Sequence, residues 1–169
     1  MGDDMVKDGF SSVRSKYKDI TLKLIALGKT ISTMESCTAG QIVSLLTDTE
    51  GSSLVVLGSL VTYSNEIKVL GGVESSVISR FGVYSKETAS AMAQSIRSRL
   101  GSDIGVGVTG SFANKDPNNP DSVPGEVFFA ISTSEETQVF RITVPSLGSR
   151  FEYKMHVADV IADRLLDIL

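Results

Sequence analysis

Several residue types that build functional sites are scarce in this chain of 169 residues, which has one cysteine, one histidine and no tryptophan. A single cysteine excludes an intramolecular disulfide. One cysteine and one histidine cannot supply the ligands of a structural Cys/His zinc site within one chain. The lack of disulfides fits a reducing compartment, and we therefore expect a cytoplasmic protein. A magnesium site built from carboxylates stays open.

Long apolar runs and an excess of basic charge are also missing. No apolar run reaches the ~20 residues that span a bilayer, and the N-terminal sequence MGDDMVKDGF lacks the apolar region of a signal peptide. The 16 Lys and Arg residues are outnumbered by 20 Asp and Glu residues, which gives a net charge of -4. We therefore expect neither a membrane nor a nucleic acid as partner.

What is present predicts one α/β domain over residues 1–169, with a polar and flexible stretch at 1–10. Apolar periodicity predicts helices at 13–27, 38–46, 65–69, 75–81, 85–100 and 151–169. Strand patterns occur at 30–34, 54–63, 104–108, 126–132 and 138–144, and an Asn- and Pro-rich loop lies at 114–124. The last two strands form a hairpin, so the sheet of this layered fold is mixed.

The stretch TMESCTAGQ places Ser36 where a strand passes into a helix. Unpaired backbone N–H groups at such a helix start can stabilise an oxyanion or bind a phosphate, so Ser36 is well placed as a nucleophile. Alternatively, Ser36 or Thr38 only caps the helix. Cys37 is either a low-pKa thiolate or a small buried packing residue.

Activation of a serine requires a base, and the sequence offers two. His156 in the last helix would complete a triad only if that helix folds over Ser36. Lys68, in the sequence YSNEIK with Tyr63, follows a strand that the pattern predicts to be buried, and a lysine with a lowered pKa also activates serine. Sites of open α/β sheets lie at such strand ends. Otherwise Tyr63 fills a core edge and Lys68 is solvated.

Two further segments contain candidate ligands. The sequence VTGSF ends a strand, and there Thr109 either orients a substrate or only ends the strand, while Gly110 permits a close backbone approach. Arg150, at the start of the last helix, is either an anion ligand or an exposed surface charge.

Seven motifs in the same order give the chain a resemblance to the CinA C-terminal domain family, whose characterised enzymes are nicotinamide mononucleotide deamidases. The motifs are ESCTAG (35–40), GSS (51–53), VTYSNEIK (61–68), GVYSKETASAMA (82–93), GVGVTG (105–110), PGEVFFA (124–130) and GSR (148–150). Each is modest alone, but seven in order are specific.

The resemblance implies a three-layer α/β/α fold and an amidohydrolase of pyridine nucleotide salvage that needs neither a metal nor an organic cofactor. It implies Ser36 as the nucleophile, with Lys68 accepting its proton directly or through Tyr63. The substrate-binding groups would then be the amides of Cys37 and Thr38 at the oxyanion, with Thr109 in support. Arg150 and the loop that contains Gly110 are the candidates for the phosphate.

The loop after VTG departs from the family pattern. Family members usually continue with a stretch resembling IAGP and a glycine-rich segment, whereas this chain reads SFANKDPNNPDSVPG. Lys154 also stands where a second arginine is common. A binding or oligomerisation module without catalysis, or an amidase for another small amide, are therefore alternatives.

Two expectations concern assembly. Some members of the family carry this domain fused to a larger N-terminal domain, and we expect the present chain to function without one. Since most soluble oligomers are symmetric, a homo-oligomer is the assembly to expect.

Overall fold

A computed structural model describes residues 9–169, so most of the stretch predicted to be flexible, 1–10, lies outside the described residues. The helices are α1 (Ser11–Leu27), α2 (Gln41–Thr47), α3 (Asn65–Leu70), α4 (Ser75–Phe81), α5 (Lys86–Leu100) and α6 (Arg150–Ile168). The strands are β1 (Ile31–Glu35), β2 (Val56–Val61), β3 (Ile104–Gly110), β4 (Glu126–Ser132) and β5 (Thr137–Thr143). All predicted elements are found, with ends shifted by a few residues.

The five strands form one mixed sheet in the order β2-β1-β3-β4-β5. Strand β1 pairs in parallel with both β2 and β3, while β4 is antiparallel to β3 and to β5. The hairpin of β4 and β5 makes the sheet mixed, as the sequence predicts. Because β1 is parallel to both β2 and β3, the carboxyl ends of these three strands lie at the same edge of the sheet.

Helices cover both faces of the sheet. Helices α1, α2 and α6 pack against each other over the main hydrophobic core on one face, and α5 packs on the other face against β1, β3 and β4. Gly105 and Gly107 let α5 lie close to β3, because a Cβ at Gly107 would lie 2.5 Å from the carbonyl oxygen of Ala89. The predicted three-layer α/β/α architecture is confirmed.

The strand predicted over 54–63 is shorter and more exposed than its apolar sequence suggests. Strand β2 lies at an edge of the sheet, and its pairing with β1 is irregular at Ile31 and Ser32. Leu57 and Val61 are 44% and 48% exposed. The prediction of a buried strand was wrong, because composition does not distinguish an edge strand from a central one.

Most helix ends follow their local sequence. Gly28 ends α1 in the left-handed conformation, with a φ of 61°, and the Ser85 hydroxyl caps α5 by accepting from the Thr88 amide. The cap of α3 is Ser64, whose hydroxyl accepts from the Ile67 amide at 3.2 Å. No helix within residues 9–169 combines the length and the apolar character that crossing a membrane requires.

Candidate active site

The carboxyl ends of the three parallel strands bring the candidate residues together. Ser36 directly follows β1, and its amide donates to the Val108 carbonyl of β3 at 3.0 Å. The Thr62 amide, directly after β2, donates to the Glu35 carbonyl at 2.8 Å. The sheet register thus places the turn at 36–40, which we call the serine turn, beside the segment that leads into α3.

Lys68 of α3 reaches back to the serine turn. Its Nζ atom donates to Ser36 Oγ at 3.1 Å and to the Thr62 carbonyl at 2.8 Å. The side chain of Lys68 is only 1% exposed, and Ser36 is also buried. The carbonyl holds the amine in position, so the candidate nucleophile and the candidate base lie within hydrogen-bond reach of one another.

Burial lowers the pKa of Lys68 to about 8, although the negative charges that Cys37 and Asp116 can carry act in the opposite direction. No carboxylate within residues 9–169 lies within 4 Å of the Lys68 amine. Desolvation therefore dominates, as for other lysines that are buried without an acidic partner. Roughly a tenth of the amine is neutral at pH 7 with such a pKa, and only the neutral amine accepts a proton.

The buried Glu35 carboxylate stabilises the serine turn by accepting hydrogen bonds from it. It accepts hydrogen bonds from the hydroxyls of Thr33 and Thr38. It also accepts from the amides of Gly40, Ile42 and Val43, at 2.9 to 3.1 Å. Glu35 thus satisfies the start of α2, where unpaired donors would otherwise be buried.

The serine turn has an uncommon backbone. Ala39 has a φ of 50°, a conformation that non-glycine residues rarely adopt, and Gly40 follows with a φ of 90°. No oxygen in the described part of the chain accepts from the amides of Cys37 or Thr38. Both N–H groups approach the sulfur of Cys37 and have no oxygen acceptor within residues 9–169, so both can donate to a substrate oxyanion beside the serine.

Ser36 opens into a cavity of about 290 Å³, which we call the serine cavity. Its walls are the ends of β1 and β3, the segments at Tyr63 and Tyr84, the start of α6, and the loop at 111–118. The lining residues are Ser36, Cys37, Tyr63, Tyr84, Gly110, Ser111, Phe112, Asn114, Lys115, Asp116, Pro117, Asn118 and Arg150. The size is near the lower end for small-molecule sites, at roughly 300 Å³.

A sequence model of the CinA C-terminal domain family matches residues 14–168. The chain belongs to the CinA C-terminal domain family. It is 36% identical, over 80% of its length, to a CinA-like protein of Gemmatimonas aurantiaca, and 39% identical, over 73%, to a putative competence-damage inducible protein of Desulforudis audaxviator. These alignments cover 31% and 30% of the two relatives, so the chain spans about a third of their length.

Solved structures agree with this family assignment. The competence/damage inducible protein CihA of Agrobacterium tumefaciens superposes with a TM-score of 0.83 at 29% identity, covering 92% of this chain and 94% of that one. A competence or damage-inducible protein of Enterobacter asburiae gives a TM-score of 0.83 at 27% identity, with coverage of 92% and 97%. Both likenesses extend over nearly all of the domain.

Tyr63 and Arg150 lie at the mouth of the serine cavity and contact each other. The Arg150 guanidinium donates to the Tyr63 hydroxyl at 3.1 Å and lies over the Phe112 ring, 5.3 Å from its centroid. Tyr63 is 62% exposed and forms no hydrogen bond with Ser36 or Lys68 in the described residues. The geometry thus provides the direct transfer from Ser36 to Lys68, while a relay through Tyr63 stays a prediction.

The structure decides between the alternative roles that the sequence left open for Ser36, Cys37 and Thr38. Thr38 and Ser36 do not cap α2, so this alternative was wrong: the cap residue is Gly40 and the acceptor is Glu35. Burial raises the pKa of Cys37 to about 12, so a low-pKa thiolate is also excluded. The substrate-binding roles predicted for the Cys37 and Thr38 amides stay predictions.

The end of β3 contributes its backbone to the cavity more than its side chains. Gly110 lines the serine cavity, and a Cβ there would lie 2.7 Å from a methyl group of Val127. The buried Thr109 hydroxyl donates to the Val83 carbonyl at 3.0 Å and does not line the cavity. Thr109 thus holds the segment that precedes Tyr84, and its predicted contact with substrate stays a prediction.

The triad with His156 is not formed. His156 lies in the middle of α6 and lines a separate cavity together with Val13 and Met155. Ser36 and His156 line different cavities. Of the two candidate bases, Lys68 is the one that contacts the serine.

Sequence reasoning missed three residues of the site. Glu35 was visible in the motif, but no pattern indicated that its carboxylate would turn back onto the start of α2. Tyr84 and Asp116 are joined by a hydrogen bond of 2.6 Å across 32 residues, which no local pattern encodes. Within residues 9–169, no group of three His, Cys, Asp or Glu side chains could hold a metal ion.

Proposed function

We propose that this chain is an amidohydrolase that converts nicotinamide mononucleotide to nicotinic acid mononucleotide and ammonia, with Ser36 as nucleophile and Lys68 as base. The observation that carries the proposal is the contact of 3.1 Å between a buried lysine amine of lowered pKa and a serine hydroxyl at a cavity. Family membership supports the reaction class, and the motif resemblance points to the substrate.

The first half of the reaction forms an acyl-enzyme. Neutral Lys68 accepts the Ser36 hydroxyl proton while Oγ attacks the carboxamide carbon, and the Cys37 and Thr38 amides donate to the oxyanion. The intermediate then collapses. The C–N bond breaks, the Lys68 ammonium returns its proton to the leaving nitrogen, and ammonia departs.

The second half regenerates the serine. Water attacks the acyl carbon and transfers a proton to the neutral Lys68 amine. Lys68 then protonates Ser36 Oγ as the C–O bond to the enzyme breaks, and the carboxylic acid product is released. The acid ionises to the carboxylate in solution, where its proton converts ammonia to ammonium. The Thr62 carbonyl keeps the amine aimed at Oγ in both halves, because it accepts a hydrogen bond from either protonation state.

Arg150 is the proposed ligand of the substrate phosphate. It lines the serine cavity, and no carboxylate within residues 9–169 forms an ion pair with it. An arginine fork matches phosphate oxygens well. The Tyr63 hydroxyl, which accepts from Arg150, keeps the guanidinium at the mouth of the cavity.

The test is ammonia release from nicotinamide mononucleotide by the wild-type protein, with Ser36→Ala and Lys68→Met as variants. We expect release by the wild type and a loss of at least about 10³-fold in both variants, as is usual when a nucleophile or its base is removed. Ser53→Ala serves as a control, because Ser53 lies outside the serine cavity. Full turnover by Ser36→Ala would eliminate the scheme.

The altered loop favours one alternative, an amidase for another small amide. Asn114, Lys115 and Asp116 belong to that loop and line the serine cavity, so the departure from the family pattern lies where substrate binds. A panel of pyridine carboxamides, with and without ribose phosphate, separates the two substrates. Faster turnover of an amide without phosphate would favour the alternative.

A further inference from the structure

The altered loop is organised around one carboxylate. Asp116 accepts hydrogen bonds from the Tyr84 hydroxyl at 2.6 Å and from the Asn119 side-chain amide at 2.7 Å. The Asn118 backbone amide donates to its other oxygen at 2.9 Å. Asn119 in turn accepts from Asn65 of α3, the helix that carries Lys68. The loop is therefore fixed against the catalytic helix, and the carboxylate has a fixed position in the cavity wall.

Asp116 forms no direct ion pair within residues 9–169. All three donors are neutral, and no lysine or arginine in the described chain lies within 4 Å of this carboxylate. Partial burial acts to raise the pKa of Asp116, but the hydrogen bonds from Tyr84 and Asn119 outweigh it and lower the pKa below the ordinary value. The Lys68 amine, which lies beyond ion-pair distance, also lowers this pKa. The group is thus an anion at neutral pH with no direct ion-pair partner in the described residues.

The nearby cations are directed elsewhere. Lys68 donates to Ser36 and the Thr62 carbonyl, and Arg150 donates to Tyr63. Lys115 also lines the cavity, but it is exposed and forms no ion pair with a carboxylate in the described residues. The cavity therefore holds the anchored anion Asp116 and, at a separate place, the cation Arg150, which Tyr63 holds, and a ligand with separated charges of both signs matches this arrangement.

We propose that Asp116, with the Tyr84 ring beside it, forms a subsite for the positively charged aromatic ring of the substrate. This inference rests on the proposed function, in which the carboxamide attached to that ring must reach Ser36. The pyridinium ring of nicotinamide mononucleotide carries its positive charge at the nitrogen that joins the ribose. A carboxylate in a partly desolvated wall stabilises such a ring, and a tyrosine face adds a cation–π contribution.

The subsite predicts discrimination by ring charge. Reduced nicotinamide mononucleotide has the same phosphate, ribose and carboxamide, but its dihydropyridine ring is uncharged. Asp116 should favour the oxidised, cationic form, while Arg150 contacts the phosphate of both. Asp116 is thus a specificity-determining residue in the segment where this chain departs from its family.

The experiment measures binding of oxidised and reduced nicotinamide mononucleotide by calorimetry in the Ser36→Ala protein, where turnover does not interfere. Asp116→Asn is compared with Asp116 in that background. The asparagine oxygen can still accept from Tyr84 and Asn119, although the contact with the Asn118 amide is lost. We expect the Kd of the oxidised form to rise about tenfold and that of the reduced form less than about twofold.

Asp121→Asn is the matched control, since it removes one negative charge from the same loop outside the serine cavity. It should change neither Kd. An equal loss for both ligands in Asp116→Asn would overturn the subsite, because a purely structural role of the loop carboxylate affects both alike. An unchanged Kd for both ligands, or no binding of the oxidised form before the substitution, would also overturn it.

The outcome is separable from the proposed reaction. Charge-selective binding that depends on Asp116, without ammonia release by the wild type, would keep the subsite and reject the amidase. Ammonia release with no selective effect of Asp116→Asn would keep the amidase and reject the subsite.

Discussion

Lys68→Met should make the protein more stable at pH 7 while abolishing its proposed activity. The pKa of Lys68 falls from the ordinary 10.5 to about 8 because the amine is buried, and the difference corresponds to about 3 kcal/mol of destabilisation. A methionine of similar length retains the packing and removes the charge. The site thus holds a group that opposes folding in its protonated form.

The substitution also removes a hydrogen bond, and the stability lost in this way is smaller than the stability gained. The Thr62 carbonyl loses the hydrogen bond that it accepts from Lys68 at 2.8 Å, which costs about 1 kcal/mol. The expected net gain is therefore about 2 kcal/mol at pH 7, or a rise of roughly 4–8 °C in Tm for a domain of this size.

The sign of the pH dependence follows from the direction of the shift. Between about pH 8 and 10.5 the unfolded chain binds more protons at Lys68 than the folded protein does, so wild-type stability rises with pH in this window. Below pH 8 Lys68 is protonated in both states, and the full destabilisation by its buried charge is present. The advantage of Lys68→Met should therefore shrink to about zero near pH 10.

Urea unfolding of wild type, Lys68→Met and Lys23→Met at pH 7 and pH 10 measures these differences. Lys23 is exposed on α1, so its substitution should change the free energy of unfolding by less than about 0.5 kcal/mol at either pH. A Lys68→Met protein that is less stable than the wild type at pH 7, or whose difference does not vary with pH, would refute the argument from desolvation.

Two other predictions concern the same turn. For the reaction, kcat/KM should rise about tenfold per pH unit from pH 6 toward 8 and level off above, because only neutral Lys68 accepts the serine proton; a flat pH–rate profile over this range would contradict that role. For the fold, Glu35→Ala should cost about 3 kcal/mol or more in urea unfolding, since five donors lose their acceptor, whereas Glu135→Ala in the exposed β4–β5 turn should be neutral. Equal stability of the two glutamate variants would show that the serine turn does not depend on Glu35.

Local sequence is sufficient to predict the helices and strands and much of the candidate site. Apolar periodicity and turn residues such as Gly28 and Ser85 act within a few residues of the chain, and they predict the helices and strands to within a few positions. The motifs around Ser36 and Lys68 also predicted the candidate nucleophile and the candidate base, whose reactive atoms lie 3.1 Å apart in the structure. Both residues follow strands, and parallel strand ends meet at one edge.

Which residues face the candidate site, and how their pKa values are shifted, depends on the packing of the whole chain. The exposure of β2 depends on its place at the sheet edge, and the lowered pKa of Lys68 depends on burial by segments distant in sequence. The capping of α2 by Glu35 and the bond between Tyr84 and Asp116 require the chain to turn back on itself. Periodicity and local propensity act over a few residues, whereas desolvation and long-range hydrogen bonds arise only once the segments are packed.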